Sequence, residues 1–105
     1  MSDVAGRVVE VLSRRQPHAR FVPELSRQLR VEPGELETAL IELEASGRAL
    51  VREQYCPDPH LEGSDLRIVA LVDAAHGDAV AAAVDSIDRV WQRWLGEYLA
   101  NHRCT

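Results

Sequence analysis

The sequence predicts an α+β fold in which three short helices are followed by a two-stranded antiparallel hairpin and then by one long C-terminal helix. Two observations lead to this prediction. Apolar residues recur at helical spacing near the N-terminus and again over 76–102, and they recur at every second position over 48–55 and 65–72. A length of 105 residues leaves room for one domain. From the apolar patterns we place this globular domain at 1–73 and an amphipathic helix after it at 76–103.

The three short helices are predicted from apolar spacing and from the residues that begin and end them. The first helix covers 3–15, and Pro17 ends it because proline cannot continue a helix. The second and third helices cover 23–30 and 33–46, and each opens with a proline, which suits the first helical turn. Gly47 then stops the third helix, since glycine readily adopts the left-handed conformation that follows a helix end.

The hairpin is predicted from two short stretches in which apolar and polar residues alternate. The strands cover 48–55 and 65–72, and the alternation places their apolar side chains on one face. Residues 56–64 contain two prolines and a glycine, which predicts a loop between the strands. Residues 18–22, ahead of the second helix, are predicted to be a short extended link.

The segment 22–51 contains the pattern of a helix-turn-helix followed by a strand, with Val31 and Pro33 in its turn and the run Glu-Ala-Ser-Gly-Arg before the strand. The leucines of the pattern are Leu25, Leu29, Leu36, Leu40 and Leu43. In these features the chain resembles the winged-helix proteins over residues 3–73, in the style of bacterial transcriptional regulators. The resemblance implies a winged helix (a three-helix bundle plus a two-stranded β-wing), here with an extra long C-terminal α-helix. It also implies a regulator that binds DNA as a homodimer.

The third helix, which winged-helix proteins place in the major groove, has a charge that opposes that role here. Residues 32–46 include five glutamates and no basic residue, whereas reading bases favours Arg, Lys, Asn or Gln. The helical period turns Leu36, Leu40 and Leu43 inward. The outer face then predicts an alternative function, a protein–protein interaction module that docks a partner through this helix without binding DNA. A third interpretation is that Ile41 is a lone exposed apolar residue, which is common. The outer face consists of Glu35, Glu37, Thr38, Ile41, Glu42 and Ala45.

Positive charge that could hold a DNA backbone lies on the second helix and on the hairpin, where winged-helix proteins often contact phosphates. The net charge of −5 gives the chain no overall attraction for a polyanion, so only a local patch could bind DNA. The alternative is that these arginines pair with surface glutamates. The candidates are Arg27, Arg30, Arg48, Arg52 and Arg67.

The C-terminal helix carries an apolar seam whose members are spaced 4, 3, 4, 3 and 4 residues apart, as in a heptad pattern. Pairing with a second copy across a two-fold axis is the commonest way to cover such a seam, and we therefore predict a homodimer. The alternative is that the helix packs on the first helix of its own chain, and both arrangements can hold together. The predicted interface consists of Val80, Val84, Ile87, Trp91, Trp94, Leu95 and Tyr98.

The sequence predicts neither an enzyme nor a cofactor. It contains no isolated carboxylate pair and no phosphate-binding loop. Cys56 with His60, and His102 with Cys104, have spacings that zinc ligands use, but no pattern brings the two pairs together, so we predict no metal site. Two cysteines, no apolar leader and no apolar run long enough for a bilayer predict a cytoplasmic protein that does not enter a membrane.

Overall fold

The computed structural model describes residues 3–55, 65–73 and 77–101, which form four helices and a three-stranded antiparallel sheet. A mixed α/β fold is thereby confirmed, and the helix bounds agree with the predicted ones to within three residues. The helices are α1 (Asp3–Ser13), α2 (Val22–Leu29), α3 (Pro33–Ala45) and α4 (Ala79–Asn101). The strands are β1 (Ala19–Phe21), β2 (Ala49–Glu53) and β3 (Arg67–Leu71).

The first strand, β1, is absent from the sequence prediction and changes the sheet. The strand order is β1-β3-β2, so the predicted hairpin supplies two of the three strands. Phe21 lies opposite Ile68 where β1 pairs with β3. The predicted two-stranded hairpin is present as β2 and β3, and the sheet has a third strand because part of the predicted link at 18–22 pairs with β3. Three residues are too few to show alternation, so their strand character depends on the tertiary partner.

The ends of α2 and α3 follow the residues that predicted them. Pro23 and Pro33 lie in the first turns of these helices, where a missing N–H leaves no helical hydrogen bond broken. At the end of α3, Arg48 N donates to Leu43 O at 2.9 Å. This closure needs a left-handed residue, and Gly47 supplies it with a φ of 73°. The chain then passes directly into β2.

The larger core lies between the three-helix bundle and one face of the sheet. Leu36, Leu40 and Leu43 of α3 are all buried in it, as their spacing predicts. Val69 contributes from β3 and is fully buried. With its leucines inside, α3 must present its opposite face to the outside, which is where the candidate interface lies.

A second core lies on the other face of the sheet, where α4 covers it. Ile68 and Ala70 alternate with Val69 along β3 and so point to the opposite side. Ile87 and Trp91 of α4 are buried on this face, and α4 contacts all three strands. The alternative prediction, that this helix packs on the first helix of its own chain, is wrong because α4 packs on the sheet. Since helices lie on both sides of β3, this strand is buried on both faces.

Candidate nucleic-acid interface

The outer face of α3 is acidic around an exposed apolar side chain. Ile41 is 64% exposed, and Glu35, Thr38 and Ala45 are exposed around it. The Thr38 hydroxyl donates to Gly34 O of its own helix at 3.1 Å. No residue of α3 is a cation, so this face offers carboxylates and apolar groups to whatever approaches it.

Two acids predicted for this outer face are half-buried. Glu37 forms an ion pair with Arg67 of β3. Glu37 is less exposed than predicted because the start of β3 lies beside α3. Glu42 is also half-buried, so the exposed face is narrower than the sequence predicts.

Arg67 is held by one carboxylate from α3 and by another that lies just before β3. Its Nη2 contacts Oε1 of Glu37 and lies 2.9 Å from Oδ2 of Asp65, while its Nε donates to Asp65 Oδ1 at 3.0 Å. The hydrogen bonds from Arg67 hold the pKa of Asp65 below its ordinary value, against the opposing effect of burial. Asp65 and then Glu37 raise the pKa of Arg67. The prediction that Arg67 holds a DNA phosphate needs correction, because this side chain joins β3 to α3.

Three other predicted cations are exposed and have no carboxylate partner among the residues that the structure describes. Arg27 lies on α2, Arg30 ends that helix, and Arg52 lies on β2. Arg30 adopts the left-handed conformation with a φ of 55°, and its N–H donates to Ser26 O. Arg48 is also exposed, but it already takes part in an interaction.

A cleft of about 220 Å³ between α2, α3 and the start of β3 brings two predicted cations together. Arg27 and Arg67 both line it, with Glu37 and Asp65 beside them. Because these two carboxylates hold Arg67, Arg27 is the cation that can turn toward a phosphate at this cleft.

The sheet covers only part of the predicted apolar seam of α4. Ile87 and Trp91 are buried within the chain, so the prediction that these two contact a second copy needs correction. Trp94 and Tyr98 are half-buried and stack with ring centroids 5.1 Å apart. One flank of α4 keeps apolar side chains that are exposed or half-buried, and these are Val84, Leu95 and Leu99. Val80 is also exposed, near the start of the helix.

The opposite flank of α4 borders a groove that the sequence does not predict. Arg15 and Arg20 line it from the segment leading into and through β1, and Arg89 lines it from α4. The rings of Phe21 and Trp94, with centroids 5.8 Å apart, lie at the same place. Residues this distant in the chain share no sequence periodicity, so the groove could not be predicted from a repeating pattern. The one signal of it in the sequence is the arginines that follow α1.

No protein-family model matches the chain, and no curated protein matches it. Among solved structures, it is similar to a protein from Methanosarcina mazei Go1 that is described as a possible transcriptional regulator. The two share 12% sequence identity with a TM-score of 0.57, over 99% of this chain and 81% of that one. At this identity the likeness shows a shared fold.

The cysteine and histidine pairs considered as metal ligands lie outside the described residues. These are Cys56, His60, His102 and Cys104. Within 3–55, 65–73 and 77–101, no three acidic, histidine or cysteine side chains are grouped so that they could hold a metal ion. In the same ranges, no helix has the length and apolar character needed to cross a membrane.

Proposed function

We propose that the chain is a small winged-helix regulator of transcription, which binds DNA as a homodimer in the cytoplasm and catalyses no reaction. The order of three helices followed by an antiparallel hairpin supports the winged-helix assignment, and the fold shared with a possible regulator supports the role. The observation that carries DNA binding is the set of exposed arginines on α2 and β2 without a described carboxylate partner. These arginines are Arg27, Arg30 and Arg52.

In this proposal the DNA backbone supplies most of the affinity. Cations from α2 and β2 contact phosphates, and each contact releases bound counterions, so affinity falls steeply with salt. The acidic face of α3 is repelled by phosphate. It therefore contributes few base contacts, and sequence preference would be weak unless the shape of the DNA is read.

The test is the anisotropy of a fluorescent duplex of random sequence, measured from about 50 mM salt upward. We expect binding at the lowest salt, weakened by Arg27→Gln and by Arg52→Gln, with the salt slope reduced by about 1 for each. Arg89→Gln removes the same charge on α4, where the arginine pairs with Asp85 at 2.9 Å. This control should bind like the parent.

Two results would contradict DNA binding through these arginines. One is no binding at about 50 mM salt. The other is an equal loss in Arg52→Gln and Arg89→Gln, because net charge alone would then explain the effect.

The homodimer is proposed to form through the flank of α4 that the sheet leaves open. Val80 is 60% and Leu99 is 55% exposed, and Val84 and Leu95 are half-buried between them. At about 100° per residue, Val84, Leu95 and Leu99 span about 60° of the helix circumference, beside the side that packs on the sheet, whereas Val80 lies on the sheet-facing side near the start of the helix. The flank formed by the first three side chains would make the helix–helix contact, and the two-fold axis would lie along it.

Sedimentation of charged variants tests the dimer. Leu95→Glu and Leu99→Glu should be monomeric at concentrations where the parent is dimeric, because a carboxylate would be buried in the contact. Ala100→Glu, at an exposed position on the far side of α4, should remain dimeric. A parent that is monomeric up to about 100 µM would exclude a dimer of useful affinity. Trp91 is unsuited to this test because it is buried in the chain's own core.

The second candidate function is docking of a basic partner protein on α3. It is favoured by one observation, the 64% exposure of Ile41 within a surface of carboxylates. Calorimetry with an amphipathic lysine–leucine peptide distinguishes the candidates. Docking predicts saturable binding that Ile41→Asp abolishes and Ile41→Val preserves, whereas DNA binding predicts none and leaves the DNA affinity of Ile41→Asp unchanged.

A further inference from the structure

A groove of about 520 Å³ separates α4 from the segment that leads into β1. Its volume falls in the range of roughly 300–1,000 Å³ that small-molecule sites occupy. One wall comes from Arg15 to Phe21 and the other from Arg89 to Glu97. The groove therefore joins two parts of the fold that are distant in the sequence.

Aromatic rings form the apolar part of the groove. Phe21 and Trp94 meet with ring centroids 5.8 Å apart and planes tilted by 58°. Trp94 is held in position by stacking on Trp91 at 5.2 Å and on Tyr98 at 5.1 Å. These contacts hold the ring cluster in a rigid shape before any ligand arrives, which lowers the entropy that binding would lose.

The charged part of the groove has more cations than carboxylates. Four arginines line it against two glutamates, Glu24 and Glu97. On α4, Arg93 lies 3.6 Å from Glu97, and Arg89 pairs with an aspartate of its own helix. These two cations are therefore balanced locally.

The remaining two arginines, Arg15 and Arg20, have no carboxylate partner in the described parts of the chain. Arg20 is half-buried, and its Nη1 donates to the carbonyl of Ala19 at 3.3 Å. A cation withdrawn from water in this way gains from a nearby anion. In a chain of net charge −5, such an excess of positive charge in one groove is a local feature.

We propose that this groove binds a small organic anion made of a carboxylate and a flat apolar body, such as an arylalkyl carboxylate. The carboxylate contacts Arg20, with Arg15 beside it, and the apolar body lies against Phe21 and Trp94. The inference goes beyond the proposed function, since it requires neither DNA nor a dimer. A ligand held here contacts both β1 and α4, and would therefore stabilise the packing of α4 on the sheet.

The test uses tryptophan fluorescence, because Trp94 lines the groove and Trp91, which stacks on it, is the one other tryptophan of the chain. The probe is phenylacetate, with phenylacetamide and acetate as matched compounds that lack the charge or the ring. We expect saturable binding of phenylacetate, at least tenfold tighter than that of either matched compound. A rise in melting temperature should accompany it.

Substitutions locate the site. Arg20→Gln should weaken phenylacetate binding about tenfold or more, the effect of losing a charge-assisted hydrogen bond. Arg15→Gln, at an exposed position, should weaken it severalfold and serves if Arg20→Gln does not fold. Arg52→Gln removes the same charge from β2 at the opposite edge of the sheet and should bind like the parent.

Three outcomes would overturn the proposal. The first is no saturable change up to about 10 mM phenylacetate. The second is equal affinity for phenylacetate and phenylacetamide, or for phenylacetate and acetate. The third is parental affinity in both Arg15→Gln and Arg20→Gln. All three are measured without DNA, so they leave the proposed regulator function to its own test.

Discussion

The two faces of the sheet are covered in different ways. On one face, three helices bury a continuous aliphatic core that includes Leu12, Leu25, Leu36 and Leu43. On the other face, the single helix α4 buries Ile87 and leaves a half-buried cluster of aromatic rings at its C-terminal half. The first core is complete within one chain, whereas the second leaves apolar and aromatic surface open on both flanks of α4. The proposed dimer contact and the proposed ligand groove both lie on these flanks.

The difference has a geometric cause. Three helices can surround one sheet face, but one helix presents a stripe only about 100° wide to the other face. The aromatic side chains of α4 extend beyond this stripe, so part of Trp94 remains exposed. We therefore expect substitutions in the first core to destabilise the protein more than substitutions in the second.

The largest effect is expected in the aliphatic core. Leu40→Ala removes a side chain that is 2% exposed and should lower the free energy of unfolding by about 2–5 kcal/mol, because the cavity cannot fully close. Chemical denaturation measures it. The neighbouring Ile41→Ala, at a side chain 64% exposed, is the control and should change stability by less than about 0.5 kcal/mol. Similar losses in the two variants would mean that α3 is turned differently.

A smaller effect is expected in the aromatic cluster. Trp94→Ala removes a half-buried ring and its stacking on Trp91 and Tyr98, which should lower the free energy of unfolding by about 2 kcal/mol. Urea denaturation followed by circular dichroism measures it, with the exposed neighbour Gln92→Ala as control. A loss equal to that of Leu40→Ala would remove the contrast between the two cores.

The smallest effect on stability is expected from the ion pairs on the two sides of the sheet. Asp65→Asn breaks the bridge to Arg67 and should lower the free energy of unfolding by about 0.5 kcal/mol near neutral pH, since solvent screens this partly exposed pair. Asp85→Asn on α4 breaks a pair in which both side chains are more than half exposed and should leave stability unchanged.

The pH dependence gives the sign of the Asp65 contribution. Because the hydrogen bond from Arg67 lowers the pKa of Asp65 in the folded protein, the unfolded chain takes up the proton first as pH falls. The stabilisation is therefore complete above the ordinary aspartate pKa of 3.8 and is lost as pH falls through the lower folded value. Denaturation of the parent and of Asp65→Asn should differ by a constant amount from about pH 5 to pH 7 and converge in acid. A difference that grows in acid would contradict the bridge.

Local patterns predicted the helices well because each helix contains its own signals. The leucines of α3 recur at helical spacing, and Gly47 stops the helix with the conformation that glycine alone adopts easily. The same local reasoning missed β1, whose three residues become a strand through pairing with β3. It also assigned Arg67 to DNA, because the sequence does not show that Glu37 comes within contact of it.

Periodicity and composition act over a few residues, so they were enough to predict the α+β class, the inward face of α3 and the acidic character of its outer face. The packing of distant segments places α4 on the second face of the sheet, puts Ile87 and Trp91 in the chain's own core, and brings Arg20 and Trp94 to the same groove. These outcomes depend on which distant segments meet. That choice is made by the burial of whole faces against each other, and no short stretch of sequence records it.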